Sequence, residues 1–530
     1  MTAASPSVPS PRRAGGLPWW ALVVIAAVGG LGASLAFAPF GWAPCAVLAV
    51  AVLTWCTQVA RSGGSALAAG AGFGVAFMGT SLIWQTEIMI ASYAGLVAAT
   101  ALVFVAIGVL SFWVRALPAW PVFVAASWSV AEYVISVFPF GGFGWMRLGY
   151  TQLDTPLAGL YPLVGAAGVT FVVALMGACL AAVVRAPGLR SASGLVWILV
   201  VALGAGGLGS LITATSEGSV NVGWVQGGAP GGGVYGLGPA RSITYNSRDE
   251  TAALMRRVAA GEEPAPQFIA WPENSTDLDP RTDAATRNAV QSAVDGAGVP
   301  ILVGSIFEDA ASQTRQTVAV WWTSTGGDLV YAKRNLVPFG EWIPGRDLLL
   351  PLIPQLSYVG ADSVPGSTPG AFVAALPDGS ELPVGVAICY EVIFPETLNQ
   401  AVESGARILI VQSSNAMYQG TNQIAQQFTI TRVRAAEMRR TISVVTTSGI
   451  SGLIGPQGQV LRQAPDSVAA SGVDSLPLET TPPTPAMLLQ PWLEYGLSLM
   501  AVFGVGWGAL RRVRARRGGR MEAVASQASA

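Results

Sequence analysis

Apolar residues fall in long unbroken blocks over the N-terminal part of the chain and once more near its end. The blocks cover residues 19–37, 41–60, 66–84, 92–114, 122–137, 157–184, 193–212 and 492–510. A helix needs about 20 apolar residues to cross the hydrocarbon core of a bilayer, so the pattern predicts a polytopic α-helical membrane domain with about eight transmembrane helices. The first block could also be read as a cleaved signal peptide, because residues 33–38 are small. It is long for that role, and further spans follow at once. The fifth block is the shortest and carries Glu132. An ionisable residue at membrane depth marks either a functional site or a structural hydrogen bond between helices, and the pattern leaves both open.

Between the seventh and eighth blocks the pattern changes. Short β-rich apolar runs at 220–226, 268–271, 300–306, 317–323, 384–390, 408–412 and 442–447 alternate with helical patterns, the clearest at 281–297 and 423–439. Apolar strands separated by helices predict an α/β domain with both sheet faces covered. The stretch 477–485 carries Pro482, Pro483 and Pro485 and reads as a linker back to the membrane. The glycine-rich stretch 227–238 lacks the GK[ST] ending of a phosphate loop and reads as a flexible loop. The chain thus divides into a disordered cytoplasmic start (1–17), transmembrane helices (18–213), an α/β domain (214–480), a linker with the last span (481–511) and a basic cytoplasmic tail (512–530).

Composition supports the membrane reading. Of 530 residues, 52% are hydrophobic and 11% charged, against roughly 25% charged in a soluble domain. The net charge of −1 gives no reason to expect nucleic acid as a partner. Cations set the orientation. With the N-terminus inside, following Arg12 and Arg13, the inner loops hold Arg61, Arg115, Arg185 and Arg190. The C-terminal tail holds Arg511, Arg512, Arg514, Arg516, Arg517 and Arg520, while the outer loops hold few cations, notably Arg147. By the positive-inside rule both termini are cytoplasmic and the α/β domain is extracytoplasmic.

The titratable inventory narrows the chemistry. There is no histidine, and Lys333 is the single lysine. Such scarcity of lysine suggests a GC-rich bacterial genome. It also suggests that Lys333 does something arginine cannot. Three of the four cysteines (Cys45, Cys56, Cys179) sit in apolar blocks, where cysteine behaves as a small hydrophobe. Cys389 instead ends the run 382–391, which climbs through β-rich apolar residues to Cys389-Tyr390-Glu391. Without histidine, a cysteine nucleophile must be served by lysine and carboxylate. No Cys/His spacing suggests a metal site, and nothing implies a cofactor.

Two other places put reactive groups beside strand ends: Trp271-Pro272-Glu273 and the stretch 331–341, with Lys333 and Glu341. In this order Glu273, Lys333 and Cys389 resemble the Glu-Lys-Cys triad of the nitrilase superfamily. The resemblance narrows to its membrane-embedded branch, the apolipoprotein N-acyltransferases. It rests on Leu336-Val337-Pro338-Phe339-Gly340-Glu341-Trp342-Ile343-Pro344, Cys389-Tyr390-Glu391, Arg434-Ala435-Ala436-Glu437 and Thr447-Ser448-Gly449-Ile450-Ser451. The membrane part adds Gly142-Phe143-Gly144-Trp145, similar to that family's outer-leaflet loop. The family's Thr-Asn-Asp-like run with a tryptophan is replaced here by Ser413-Ser414-Asn415-Ala416-Met417-Tyr418. Its early tryptophan loop has no clear counterpart, Tyr245 being the nearest aromatic.

The resemblance implies a nitrilase-like αββα sandwich and acyl transfer through a thioester on Cys389, in the bacterial cytoplasmic membrane. The donor is a phospholipid and the acceptor the α-amine of a diacylated apolipoprotein; the protein acts as a monomer. Glu273 is then the expected general base. Lys333 is the expected oxyanion donor with a backbone N–H near Cys389, and its charge is expected to lower the thiol pKa. Glu341 and Glu391 either orient Lys333 and close the pocket or form buried salt bridges to arginine. Tyr390, Trp145, Glu132 and Tyr245 are the further supporting or substrate-binding candidates. Two competing readings share the motifs: a membrane-tethered amidase in which water takes the thioester, and a non-catalytic membrane partner of another enzyme.

Overall fold

The apolar blocks form helices. In the computed structural model these are α1 (Trp19–Ser34), α2 (Pro44–Val59), α3 (Gly63–Ser81), α4 (Ile90–Val114), α5 (Trp120–Val137), α6 (Tyr161–Arg185) and α7 (Leu189–Ser210). The structure describes residues 17–233 and 236–528, with no side-chain account of Arg190 or of residues 515–528. The predicted disordered start with Arg12 and Arg13, two positions of the glycine-rich loop (234 and 235), and the side chains of Arg516, Arg517 and Arg520 lie outside the described residues. Among the described residues, five helical stretches are long and apolar enough to cross a membrane: Ile90–Val114, Trp120–Val137, Ala158–Arg185, Ser191–Ser210 and Trp492–Arg514. Helices α1 and α2 are apolar but 16 residues each. The predicted first span to residue 37 is therefore too long; α1 stops at Ser34, shortly before Pro39, which lacks the N–H a helix would need.

The helices pack at van der Waals contact of their backbones. A Cβ on Gly30 of α1 would lie 2.3 Å from the Phe73 carbonyl oxygen of α3, and one on Gly70 of α3 would lie 2.2 Å from that of Phe104 on α4. Where lipid is as apolar as leucine, this close packing is what holds helices together. Helix α6 breaks at Gly165, at φ 60° and ψ −176°.

The α/β part follows as β1 (Ser216–Gln226), α8 (Ser242–Ala259), β2 (Phe268–Ala270), α9 (Ala284–Ala297), β3 (Ile301–Asp309), β4 (Thr314–Thr323) and β5 (Gly326–Ala332). Next come α10 (Arg346–Leu352), β6 (Asp362–Ser363), β7 (Ala371–Ala375), β8 (Glu381–Ile388), α11 (Pro395–Glu403), β9 (Ile408–Ser413) and α12 (Asn422–Met438). The segment closes with β10 (Ile442–Thr446), β11 (Gly452–Ile454), β12 (Val460–Gln463), β13 (Ala470–Glu479), α13 (Pro485–Leu489) and α14 (Trp492–Ala528). One sheet has the order β13-β1-β2-β3-β4-β5, with β6 on β4; the other has the order β12-β11-β10-β9-β8-β7. The centre of each is parallel: β1, β2 and β3 in the first, β8, β9 and β10 in the second.

The period of two along the strands sorts the side chains. Val222 and Trp224 of β1 join Leu302, Val384, Val386 and Ile410 between the sheets. Val225 points the other way, onto Leu254 of α8 and Val290 and Val294 of α9. The second sheet's outer face is covered by α11 and α12, whose Leu398, Ile430 and Val433 share one continuous core with the membrane helices. The layers are thus helix, sheet, sheet, helix, and the last helical layer is fused to the membrane part.

Several boundaries differ from the sequence reading. The strand predicted over 384–390 ends at Ile388, because Cys389 turns to φ 53° and opens a 3-10 turn (Cys389–Ile393). Helix α9 begins at Ala284, not 281, with Asp283 accepting from the Thr286 N–H as its N-cap. Pro477, predicted in the linker, lies in β13 opposite Ser219. Strands β5, β6, β7, β11, β12 and β13 lie outside the predicted set; β5, β7 and β12 are sheet edges and largely exposed, β6 and β11 are two and three residues long, and β13 is interrupted by Asp474, Ser475 and Pro477, so none carries a continuous apolar run.

Candidate active site

Three strand ends converge. Glu273 follows β2, Lys333 follows β5, and Cys389 follows β8. The first two belong to one sheet and the third to the other, so the cluster straddles the sandwich. Lys333 and Glu273 sit below the surface, 1% and 4% exposed, while Cys389 is only partly buried and so stays reachable from outside.

Lys333 is the hub. Its Nζ donates to Glu273 Oε1 at 3.0 Å and to Glu341 Oε1 at 2.8 Å. An ammonium has three donors, so one remains beyond these two bonds. The other oxygens of both carboxylates accept backbone amides, Ser414 N to Glu273 at 3.0 Å and Val337 N to Glu341 at 2.7 Å. Burial pushes the Lys333 ammonium down, but Glu273 and Glu341 more than reverse this and hold it well above the usual lysine value. It stays a cation, able to donate hydrogen bonds but not to accept a proton.

Cys389 behaves differently from the expectation that lysine lowers its pKa. Burial pushes the thiol up, Glu273 pushes further as a charge and as a hydrogen-bond acceptor, and the opposing pull of Lys333 is the weaker effect. The thiol ends at about 12. The resting sulfur is therefore a neutral thiol, so any reaction through it has to remove that proton.

Glu391 is fully buried and binds no arginine side chain among the described residues, which removes the salt-bridge reading. Its Oε1 accepts from Tyr331 OH at 2.7 Å, Arg334 N at 2.8 Å and Asn335 N at 3.1 Å, and its Oε2 from Ile388 N at 2.8 Å. The arginine alternative fails for Glu341 too, whose ion pair is with Lys333.

Tyr390 and Trp145 meet at the seam with the membrane part. Tyr390 OH donates to the Gly142 carbonyl at 2.7 Å. Its ring stacks on Trp145 at 6.5 Å between centroids and 14° between planes. The Nε1 atoms of Trp145 and Trp84 both donate to Gln426 Oε1 on α12, at 2.8 and 3.0 Å. Tyr418, in the variant loop, packs edge-on against Trp84 at 5.3 Å.

Two sequence candidates are not brought to the cluster. Glu132 accepts from Leu148 N at 2.9 Å and Thr170 Oγ1 at 2.7 Å and lies beside Arg147, so it is a structural tie within the membrane part. Tyr245 is 37% exposed on α8, with the Arg248 guanidinium over its ring. The Arg434–Glu437 pair is also structural: Glu437 Oε1 accepts from Ala166 N at 2.6 Å, where α6 restarts after Gly165. Gln427, absent from the sequence reading, places its Nε2 3.7 Å from Cys389 Sγ. Nothing in a helical pattern distinguishes it from a solvent-facing glutamine.

Comparison with known proteins agrees with this architecture. The family model described as apolipoprotein N-acyltransferase N-terminal domain matches residues 29–179, and the carbon-nitrogen hydrolase model matches residues 241–480. The apolipoprotein N-acyltransferase of Mycolicibacterium smegmatis is 31% identical over 467 residues, covering 82% of this chain and 76% of the relative. That of Coxiella burnetii is 26% identical over 479 residues, covering 84% and 91%. A solved amidase from Nesterenkonia sp. covers 53% of this chain and 98% of its own at 17% identity, with a TM-score of 0.36.

Proposed function

The chain belongs to the apolipoprotein N-acyltransferase family, and we propose from that premise that it acylates lipoproteins by moving an acyl chain through a thioester on Cys389. The substrates are a membrane phospholipid and the α-amine of a diacylated N-terminal cysteine on an apolipoprotein. The single observation that carries the mechanism is the buried Glu273–Lys333–Glu341 cluster facing the neutral thiol of Cys389.

In the first half-reaction Glu273 takes the thiol proton as sulfur bonds to the ester carbonyl carbon, and the carbonyl π pair moves onto oxygen. Lys333 has a donor left for that oxyanion, and a backbone N–H beside Cys389 supplies the second. Collapse breaks the ester C–O bond. The lysophospholipid oxygen leaves with the proton held by Glu273. In the second half-reaction the acceptor amine attacks the thioester, and Glu273 takes an amine proton and returns it to the departing sulfur.

Reading α1 to α7 and α14 as eight spans, with Arg61, Arg115, Arg185 and the arginines after residue 510 on one side, favours a placement in which the domain faces outward and both termini face the cytoplasm. The bilayer in question is then the bacterial cytoplasmic membrane. The Trp145–Tyr390 stack and the Tyr390–Gly142 bond set the residue after the nucleophile against a membrane loop, where an acyl chain reaches Cys389 without leaving the bilayer surface.

The test is incubation of the purified protein with phospholipid and a diacylated lipopeptide. N-acylated lipopeptide is expected. Free fatty acid instead means amidase-like hydrolysis, and no change means a non-catalytic role. With phospholipid alone, one acyl group removable by hydroxylamine should appear on Cys389 and be absent from Cys389→Ala.

A further inference from the structure

The reading above gives the sulfur one cation, Lys333, which is already shared between two carboxylates. A nucleophile that is neutral at rest and anionic at both the start and the end of its thioester needs something else on the far side. The structure provides it. Gln427, on the inner face of α12, is 4% exposed and has its Nε2 3.7 Å from Cys389 Sγ.

The orientation of that amide is fixed by its neighbours. Gln427 Oε1 accepts from Asn415 Nδ2 at 2.6 Å and from Gln423 Nε2 at 3.0 Å. Both partners are amide nitrogens, so a flipped Gln427 would set N–H against N–H. With oxygen so placed, Nε2 has two hydrogens to place. One goes to Ser413 Oγ at 2.8 Å, and the other points at the sulfur. All four hydrogen-bonding positions of the side chain are then in use. The neighbours are themselves held. Asn415 sits at φ 55° in the turn after β9, and Gln423 and Gln427 are one helical turn apart.

We propose that Gln427 is a further catalytic residue, whose amide N–H donates to Cys389 Sγ and stabilises the thiolate both as it forms and as it leaves the acyl group. No proton moves from the amide; it remains a donor throughout. The proposal rests on Cys389 being the nucleophile of the reaction proposed above, but its test does not need that reaction to occur. A donor to an ionised partner is stronger than one to a neutral partner, so the bond favours the anionic sulfur over the thiol. An amide also does not titrate. The titratable groups facing the sulfur are Glu273, Lys333 and Glu341, with the Tyr418 hydroxyl near by, and Gln427 adds a constant effect to theirs.

The experiment is alkylation of Cys389 by iodoacetamide in the full-length protein, read by mass spectrometry between about pH 7 and pH 10, for the parent, Gln427→Met and Gln427→Glu. Methionine keeps the length without a donor. Glutamate keeps the oxygen that Asn415 and Gln423 need and replaces only the donor. Hydrogen bonds to charged groups set the scale: at the weak end expected for sulfur Gln427→Met loses about tenfold in thiolate fraction, the more basic thiolate regains about threefold, and alkylation should be about threefold slower at every pH. Gln427→Glu, which adds a like charge, should be slower still. The sign separates this from a packing defect. Burial is what raises the thiol, so a loosened pocket would let in water and speed alkylation. If Gln427→Met loses its fold, Gln427→Leu, which removes the donor without adding a charge, decides in its place. Rates equal to or faster than the parent's in the folded variants would overturn the proposal. Slowed alkylation in a protein that transfers no acyl group would leave it standing while removing the function it was inferred from.

Discussion

Glu273→Gln should have opposite effects on the two reactions of Cys389. The carboxylate is held by Lys333 Nζ and by Ser414 N, each at 3.0 Å. With its amide oxygen toward Lys333, glutamine turns an NH2 toward Ser414 N and loses one bond, which costs about 1–3 kcal/mol and leaves the fold in place. The larger effect is electrostatic. The thiol is pushed up to about 12 by burial and then by the Glu273 charge. Two charges about 4 Å apart at an effective dielectric of about 20 interact by about 4 kcal/mol, which is about three pH units. Lys333 already neutralises much of that charge, so the net fall expected on removing it is about one to two units. The thiol lies below its pKa at neutral pH, so each unit of fall raises the thiolate fraction tenfold. A less basic thiolate is also a poorer nucleophile, with a Brønsted slope of about 0.4–0.5, so alkylation by iodoacetamide at about pH 8 should rise about threefold to tenfold. Acyl transfer should move the other way, falling by about 10² to 10⁴, the usual contribution of a general base. The assay is both rates on one preparation with matched melting behaviour. Slower alkylation in Glu273→Gln, or acyl-enzyme formation within a few-fold of the parent, would refute the assignment of a neutral thiol served by a base.

Three further outcomes follow from the same contacts. Lys333→Arg should lose about 10² to 10³ in acyl-enzyme formation, the range for one oxyanion donor, because a planar fork does not replace a compact ammonium seated between Glu273 and Glu341; a rate within threefold of the parent in single-turnover measurements would remove Lys333 from the mechanism. Glu391→Ala should lower stability by about 3 kcal/mol or more, since several buried donors lose their acceptor at about 1–3 kcal/mol each, and a denaturant midpoint unchanged from the parent would contradict that. A reporter fused at the exposed turn around Gly379, between β7 and β8, should be active only in the form that requires export, and a cytoplasmic signal would reverse the proposed orientation.

Reading the sequence located the convergence but not its wiring. Glu273, Lys333 and Cys389 each follow an apolar strand, and strand ends are visible as a change from β-rich residues to Pro, Arg or a Cys-Tyr-Glu run. The scarcity of lysine singled out Lys333 before any geometry. Glu391 was ambiguous because its partners are three backbone amides and a tyrosine hydroxyl, and amides leave no trace in residue identity. Glu132 was ambiguous for the related reason that Leu148 N and Thr170 satisfy it from two other segments. The pKa of Cys389 was misjudged in direction because lysine and glutamate were weighed without burial, which here is the largest effect. Gln423, Gln426 and Gln427 lie at spacings that on most helices mark the wet face, yet all three are buried: Gln426 under Trp84 and Trp145 of the membrane part, and Gln423 and Gln427 against Asn415 and Cys389, contacts no local pattern encodes.

The arrangement also explains how a site split between two sheets keeps its geometry. Glu273 and Lys333 belong to the first sheet and Cys389 to the second. Packing of two apolar sheet faces tolerates small slides, because dispersion contacts are many and individually weak. Hydrogen bonds are directional and do not. Here one buried carboxylate, Glu391, accepts from the two amides after Lys333 and from the amide before Cys389. Gln412 of β9 donates across the gap to the Trp271 carbonyl at 2.6 Å, two residues before Glu273. Ser414 N, just after the same strand, donates to the Glu273 carboxylate itself. Each reactive group is thus tied across the sheet boundary through backbone within two residues of it. A slide of the sheets long enough to misplace the sulfur would have to break buried bonds to a carboxylate. The separation of thiol, base and ammonium is therefore set by this polar seam, and the apolar interior only brings the two halves within its reach.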